Sequence, residues 1–253
     1  MGGGRLSGRR AVVTGAASGL GAAIAARLAS EGARVAFADL DLDAAREAAG
    51  DGAAFAVDVA SWASCEALAS AVRQAFGGVD IVVANAGVNH VGDILETDPD
   101  EWRRVLDVNL GGVWLTDRAF LPLLIAAGGG AIVNQASVTA TAAMRRVAAY
   151  SAAKGGVLAL TKSIARDFAD RNVRANAILP GTVRTPMVER TFAARESGSV
   201  DAALAAAAAA YPRGRLGRPE DIAAMAAFLV SDDADWITGA GYAVDGGLTA
   251  VVG

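Results

Sequence analysis

The chain carries one cysteine and one histidine in 253 residues. With Cys65 alone, no internal disulfide and no thiolate zinc cluster can form, and no metal site is expected. Cys65 falls within a helical pattern and reads there as a buried small hydrophobe rather than a reactive thiol. A basic stripe, the usual mark of nucleic-acid binding, is missing. The 23 Lys and Arg are outnumbered by 27 Asp and Glu, and they are scattered singly or in pairs. Long apolar runs are missing too. The longest, Ala202 to Tyr211, falls well short of the ~20 residues that span a bilayer. The opening MGGGRLSGRR lacks the apolar core and cleavage pattern of a secretory signal, and Leu6 stands where a myristoylation signal wants Ser or Thr. The expectation is a soluble cytoplasmic protein without membrane or nucleic-acid partners.

What is present is an alternation of short β-rich runs with helical stretches. Ala11–Thr14, Arg34–Ala38, Ala54–Val57, Val79–Ala84, Ala131–Gln135, Val173–Leu179 and Gly241–Val244 read as strands. Several are nearly continuous apolar runs, as expected where both faces of a parallel sheet are covered. Helical periodicity fills Gly19–Gly32, Leu42–Ala49, Ser61–Phe76, Pro99–Ala127 and Ala148–Arg171. Asp98-Pro99-Asp100-Glu101 is a helix start, with a capping Asp, Pro at the first position and acids after it. Repeated βα units predict an α/β fold: one doubly wound parallel sheet of about seven strands with helices on both faces. No linker divides the chain, so residues 1–253 read as a single domain. The rhythm lapses between Thr182 and Pro219. Residues 182–219 are expected to form a substrate-covering insertion, with the alanine run at 202–210 as an inexpensive helix.

The first strand runs into Thr14-Gly15-Ala16-Ala17-Ser18-Gly19-Leu20-Gly21 and then a helix. Glycines permit a tight turn and close backbone approach to a pyrophosphate, and the helix N-terminus adds NH groups and positive dipole. The literal G-x-G-x-x-G spacing is absent, and no Lys follows, so this is no Walker loop. Asp39 ends the second strand, 18 residues beyond Gly21. That is near the spacing at which an acid accepts bonds from the adenosine ribose and repels a 2′-phosphate. No Arg or Lys occupies 16–18 or 38–41, which favours NAD over NADP. The competing role, capping the next helix, suits Asp41 better. The strongest constellation is Tyr150-Ser151-Ala152-Ala153-Lys154 with Ser137 upstream. On a helix, positions 150 and 154 lie about 40° apart and about 6 Å along the axis, sharing one face. An ammonium beside a phenol favours phenolate, which suits general acid–base work. Ser137, ending an apolar strand, is placed to hydrogen-bond a carbonyl oxygen as charge moves there.

With these motifs in order, the chain resembles the classical short-chain dehydrogenase/reductase family across residues 7–250. The matching positions are Thr14-Gly15, Gly19, Gly21, Asp58-Val59, Asn85-Ala86-Gly87, Asn109, Ser137, Tyr150, Lys154, Pro180-Gly181 and Thr185. Ala84 departs from the family's usual Asn at that place. The resemblance implies that residues 1–253 form a single NAD(P)-binding Rossmann-fold domain, with Tyr150 as general acid or base and Ser137 orienting the carbonyl or alcohol. It implies Lys154 holding the nicotinamide ribose and lowering the tyrosine pKa, and Asn109 supporting a water to the lysine. Gly15, Ser18, Gly19, Leu20 and Gly21 would then cradle the cofactor. Asp58 and Val59 would flank the adenine, Asn85 to Gly87 would line the cofactor, and Val183 and Thr185 would hold the carboxamide beside Pro180 and Gly181. The C-terminal segment resembles one that packs between subunits, so a homo-oligomer, a tetramer, is expected. Trp102 and Trp114 serve either that interface or the core. Three functions compete: an NAD-dependent dehydrogenase for a secondary alcohol, an NADPH-dependent 3-oxoacyl-carrier-protein reductase, and a catalytically silent cofactor-binding scaffold. Substrate-facing residues are expected in Val88–Ile94, Val138–Val147 and Thr182–Arg213, with His90, Arg145 and Arg146 as open candidates for contact.

Overall fold

The computed structural model describes residues 4–195 and 199–250. Among them are the strands β1 (Arg10–Thr14), β2 (Arg34–Asp39), β3 (Ala53–Ala56), β4 (Ile81–Ala84), β5 (Gly130–Gln135), β6 (Val173–Pro180) and β7 (Gly241–Val244). They form one sheet in the order β3-β2-β1-β4-β5-β6-β7, with every neighbouring pair parallel. The helices are α1 (Gly19–Ser30), α2 (Leu42–Ala49), α3 (Trp62–Phe76), α4 (Pro99–Leu106), α5 (Gly112–Ala126), α6 (Ala148–Phe168), α7 (Pro186–Arg195), α8 (Val200–Ala208) and α9 (Pro219–Val230).

Strand side chains alternate between two cores, which is why the strand runs are apolar throughout. In β1, Ala11 and Val13 pack with Ile24 and Leu28 of α1 and Ile222 and Ala226 of α9. Val12 points the other way, to Leu68 of α3, Phe120 of α5 and Ile164 of α6. Burying such a side chain contributes about 1.5–3 kcal/mol, so a polar residue at either parity would weaken one layer. Helix starts follow local chemistry. Asp41 caps α2 by accepting from the Ala44 amide at 3.0 Å, and Asp98 caps α4 by accepting from Asp100 and Glu101, both at 2.9 Å. The role left to Asp41 by the sequence is the one it takes.

Several expectations need correction. The strand expected from Val79 begins at Ile81. Asp80 spends its carboxylate on the Arg10 amide at 2.8 Å and on its guanidinium at 2.8 and 2.7 Å. The strand expected at Ala54–Val57 lies one residue earlier, at Ala53–Ala56. The helix expected over Pro99–Ala127 is interrupted by a π-helical turn at Asp107–Gly111. The Asn109 amide donates to Val105 O at 2.9 Å, taking an acceptor from the regular ladder, and to Val88 O at 2.9 Å. The region that breaks the βα rhythm contains α7 and α8, and α9 follows from a Pro219-Glu220-Asp221 start at which no side chain caps the helix and Asp221 instead accepts from the Arg218 amide at 2.8 Å. Trp102 and Trp114 are not core residues. They are 40% and 44% exposed, and the Arg118 guanidinium stacks over Trp114 and Trp62. Cys65 is buried, and burial pushes its thiol up to about 11.

No helix among the described residues is long and apolar enough to cross a membrane. No group of three or more His, Cys, Asp or Glu among them is arranged to hold a metal ion.

Candidate active site

A cleft of about 400 Å³ opens at the C-terminal edge of the sheet. Strand order reverses there, because β2 lies on one side of β1 and β4 on the other, and ligands of open α/β sheets bind at such a crevice. All the catalytic and cofactor-binding residues expected from the sequence line this cleft except Gly21. Gly21 is instead buried against the turn, where a Cβ would stand 1.9 Å from Gly15 O. The turn and α1 can approach this closely only because position 21 has no side chain.

Thr14, at the end of β1, is buried and pins two loops together. Its hydroxyl accepts from the amides of Asn85 and Ala86 at 3.1 and 3.2 Å. The Asn85 side chain donates back to Thr14 O at 3.0 Å. The glycine turn and Asn85-Ala86-Gly87 are thus held as one wall. Ser18 precedes α1 in extended conformation with no side-chain bond to the helix amides. Asp39 Oδ2 accepts from the Ala17 amide at 3.0 Å and Oδ1 from Asp41 at 3.1 Å. The acid is therefore oriented beside the turn, at the end of the cleft that also holds Asp58, Val59 and Leu40. Asp58 accepts from the Ala60 amide, and Val59 packs under the π-helical turn, against Gly112.

The other end is built from β5, α6 and the loop after β6. Tyr150 and Lys154 share one face of α6, and Ser137 lies two residues past β5. Ser137 Oγ accepts from the Thr139 amide at 3.2 Å, which uses a lone pair and leaves its proton to donate. Lys154 is 2% exposed, and its Nζ donates to Gln135 O at 2.6 Å. Nζ lies 5.6 Å from the centre of the Tyr150 ring. Gly87 closes the arrangement, since a Cβ on it would stand 2.6 Å from Asn109 Oδ1 and 3.8 Å from Lys154 Nζ.

One electrostatic expectation is corrected. Burial pushes the Tyr150 phenol up to about 12, with the Ser137 hydroxyl pulling the other way, so the free protein does not hold a lowered phenol. Burial also brings Lys154 down to about 8. Both groups are pressed toward neutrality because each has lost water, and the ammonium bonds a carbonyl rather than the phenol. The Asn109 side chain is occupied by three bonds, to Val105 O, Val88 O and the Val88 amide. Both of its amide hydrogens are spent on the frame of the site.

Pro180 and Gly181 end β6, with Gly181 donating to Val244 O at 3.1 Å. Val183 is buried, and the Thr185 hydroxyl accepts from the Val188 amide at 3.3 Å at the start of α7. From α7, Pro186, Met187, Val188 and Arg190 also line the cleft. Asn89 donates to the Thr191 hydroxyl at 3.0 Å, tying α7 to the loop after β4. His90, Arg145 and Arg146 do not line the cleft. His90 faces Glu101 at 3.2 Å, and Arg146 pairs with Glu96 at 3.0 Å. Sequence reasoning missed Leu40, Val57, Val108, Ala136 and Gln135 as lining residues. Gln135 alone left a signal, a second amide closing the otherwise apolar run Gly130-Ala-Ile-Val-Asn134.

A family model described as enoyl-(acyl carrier protein) reductase matches residues 15–249. The chain is 41% identical to D-threitol dehydrogenase of Mycolicibacterium smegmatis, over 97% of this chain and 94% of that one. It is 42% identical to cis-4-hydroxycyclohexanecarboxylate dehydrogenase of Sinomonas cyclohexanicum, over 96% and 97% of the two chains. Among solved structures, ligand-free aldohexose dehydrogenase of Thermoplasma acidophilum superposes with a TM-score of 0.93 at 33% identity, covering 99% of this chain and 98% of that one. The seven-stranded parallel sheet, the ordered motifs and these full-length matches agree: the chain belongs to the short-chain dehydrogenase/reductase family of oxidoreductases.

Proposed function

We propose that this protein is an NAD-dependent dehydrogenase that interconverts a secondary alcohol and a ketone. The observation that carries the reading is one cleft with Ser137, Tyr150 and Lys154 at one end and Asp39 at the other. The wall fits a dinucleotide. Cβ atoms on Gly15 and Gly87 would fill it, meeting Ala86 at 2.8 Å and Asn109 at 2.6 Å, and the N-terminus of α1 faces it with positive dipole. Gly15, Ser18, Gly19 and Leu20 would hold the pyrophosphate, and Asp39 the adenosine ribose. Asp58 and Val59 would flank the adenine, with Asn85, Ala86 and Gly87 along the middle. Tyr150 and Lys154 would take the second ribose, and Val183 and Thr185 the carboxamide beside Pro180 and Gly181. Bound there, the nicotinamide supplies the hydride acceptor.

In oxidation, Tyr150 Oη takes the alcohol proton. Ser137 holds the reacting oxygen with its free hydroxyl proton, a bond that strengthens as charge develops. Burial holds the phenol up at about 12, and Lys154, still cationic at neutral pH and 5.6 Å from the ring centre, would favour the phenolate during turnover. Asn109 fixes the Val88 loop beneath it and supports a water to the lysine through its remaining oxygen lone pair.

Residues 182–219 act as the substrate cover, with Met187, Val188 and Arg190 as its inner surface. Relatives are named for a polyol, a cyclic hydroxy acid and a sugar, which supports the alcohol class rather than one substrate. The carrier-protein reductase is less well supported, since Asp39 opposes a 2′-phosphate and Leu121–Gly128 carries no base for an acidic partner. The outward-facing tryptophans and the edge strand β7 favour a homotetramer. The test is turnover of purified protein with NAD and with NADP across polyols, sugars, hydroxy acids and cyclic alcohols. No turnover of any alcohol or ketone with either cofactor would leave the scaffold reading standing.

A further inference from the structure

Gln135 is 4% exposed and lines the cleft. Its main-chain carbonyl accepts the Lys154 ammonium. Its side-chain amide bonds nothing: neither Nε2 nor Oε1 has a hydrogen-bond partner, and both atoms are closed to solvent. A native fold rarely leaves one buried polar atom unpaired, and here a donor and an acceptor are unpaired together. The amide of the preceding residue is satisfied on its donor side, though its Oδ1 has no partner. Asn134 Nδ2 donates to Asp117 at 3.0 Å and Thr161 at 3.1 Å, on the α5 and α6 side. Strand alternation sends Gln135 to the opposite side. Its register partner there is Ile178, which packs in the same core as Val183.

That position selects one end of the cleft. Ser137 follows two residues later, Pro180 lies two residues past Ile178, and Lys154 is bonded to the Gln135 carbonyl. Asp39 and Asp58 belong to the far end, beyond β2 and β3. The half of a dinucleotide that reaches the Gln135 end is the nicotinamide riboside. The nicotinamide is a flat ring carrying one strongly polar substituent, a carboxamide with both NH₂ and C=O. A primary amide with a free donor and a free acceptor is its chemical complement.

We propose that the Gln135 side chain binds the carboxamide of the nicotinamide, as a positioning residue additional to Val183 and Thr185. The inference rests on the cleft taking a nicotinamide dinucleotide. It makes the amide unfavourable in the free protein and favourable in the complex, so its removal has opposite effects on the two.

The experiment uses the full chain and Gln135→Met, which keeps length and volume but no hydrogen-bonding amide, with Gln135→Leu made in parallel. Dissociation constants are measured for NADH, for ADP-ribose, which lacks the nicotinamide, and for 3-acetylpyridine adenine dinucleotide, which lacks the carboxamide NH₂. Melting temperatures are taken without ligand. The expected result is NADH binding weakened about tenfold, acetylpyridine binding weakened by less because only its C=O remains to accept from Gln135, ADP-ribose binding unchanged, and a ligand-free melting temperature equal to or above the parent's. Unchanged NADH affinity, or equal losses for NADH and ADP-ribose, overturns the assignment. Failure of both variants to fold, or a lowered ligand-free melting temperature, marks the amide as structural and also overturns it. A parent protein that binds neither NADH nor ADP-ribose overturns the cofactor reading beneath it.

Discussion

Asp117 puts a titrating group in the middle of the packed layer behind the cleft. It sits on α5, is 2% exposed, and accepts one bond from Asn134 at 3.0 Å on Oδ2 while Oδ1 has no partner. Its bonding partner is uncharged: Asn134 from β5 donates to it, and the same Asn134 amide donates to Thr161 of α6. Burial pushes the Asp117 carboxyl from 3.8 up to about 7. The folded state therefore binds this proton more tightly than the unfolded chain between those values. The associated stability is whole below pH ~4 and is lost as pH rises through 7. Each unit of difference is worth about 1.4 kcal/mol, so the group should remove about 3 kcal/mol of stability between pH 5 and 7.5. Asp117→Asn carries no proton there and should show no such slope, becoming the more stable protein above pH 7. The window is clean. Glu31, Asp80 and Asp221, held low by arginine partners, act at lower pH, and Lys154 acts above 8. Urea unfolding followed by circular dichroism at one protomer concentration gives the two pH profiles. Parallel profiles for parent and variant would refute the reasoning.

Three further outcomes are expected. Tyr150→Phe keeps the ring and deletes the proton carrier, so kcat should fall by ~10²–10⁴ with an unchanged circular dichroism spectrum; near-native turnover would make the proton-transfer step wrong. Asp39→Ala should weaken NADH by about 10- to 100-fold, the worth of a charge-assisted bond, while affecting NADPH far less; fluorescence titration reads both, and tighter NADPH binding by the parent would sink the NAD assignment. Gly87→Ala drives a Cβ to 2.6 Å from Asn109 Oδ1 and should cost at least tenfold in kcat/KM together with several degrees of melting temperature. Gly155→Ala, whose Cβ would meet nothing nearer than 4.0 Å, is the control and should leave both unchanged or raise stability slightly.

The parts of this molecule legible in the sequence are those set by local spacing. Apolar strand runs, the Asp98-Pro99 helix start, the glycine turn and the four-residue interval from Tyr150 to Lys154 need only strand or helix geometry to be interpreted. What escaped depends on partners distant in sequence. The π-helical turn arises because Asn109 bonds Val88 O across 21 residues. Arg146 looks free until the loop after β4 brings Glu96 beside it. The protonation of Tyr150 and Lys154 follows from burial, which no interval encodes. Gln135 is the sharpest case, because its lack of partners depends on every element packed around it.

The π-helical turn at Asp107–Gly111 has a genetic consequence. A π turn carries one residue more than the α-helical turn it replaces, and each helical residue advances the phase by about 100°. Deleting any one residue between 107 and 111 would let the ladder relax into an unbroken α-helix, cheaply as far as backbone bonding goes. All of α5 would then turn by about 100°. Phe120 and Leu124 would leave their core, Asp117 would leave Asn134, and Arg118 would leave Trp62. Length changes here are therefore not buffered as they are in a loop. A one-residue deletion should survive only with a compensating insertion before Phe120, so that this short stretch keeps the reading phase of the whole helix.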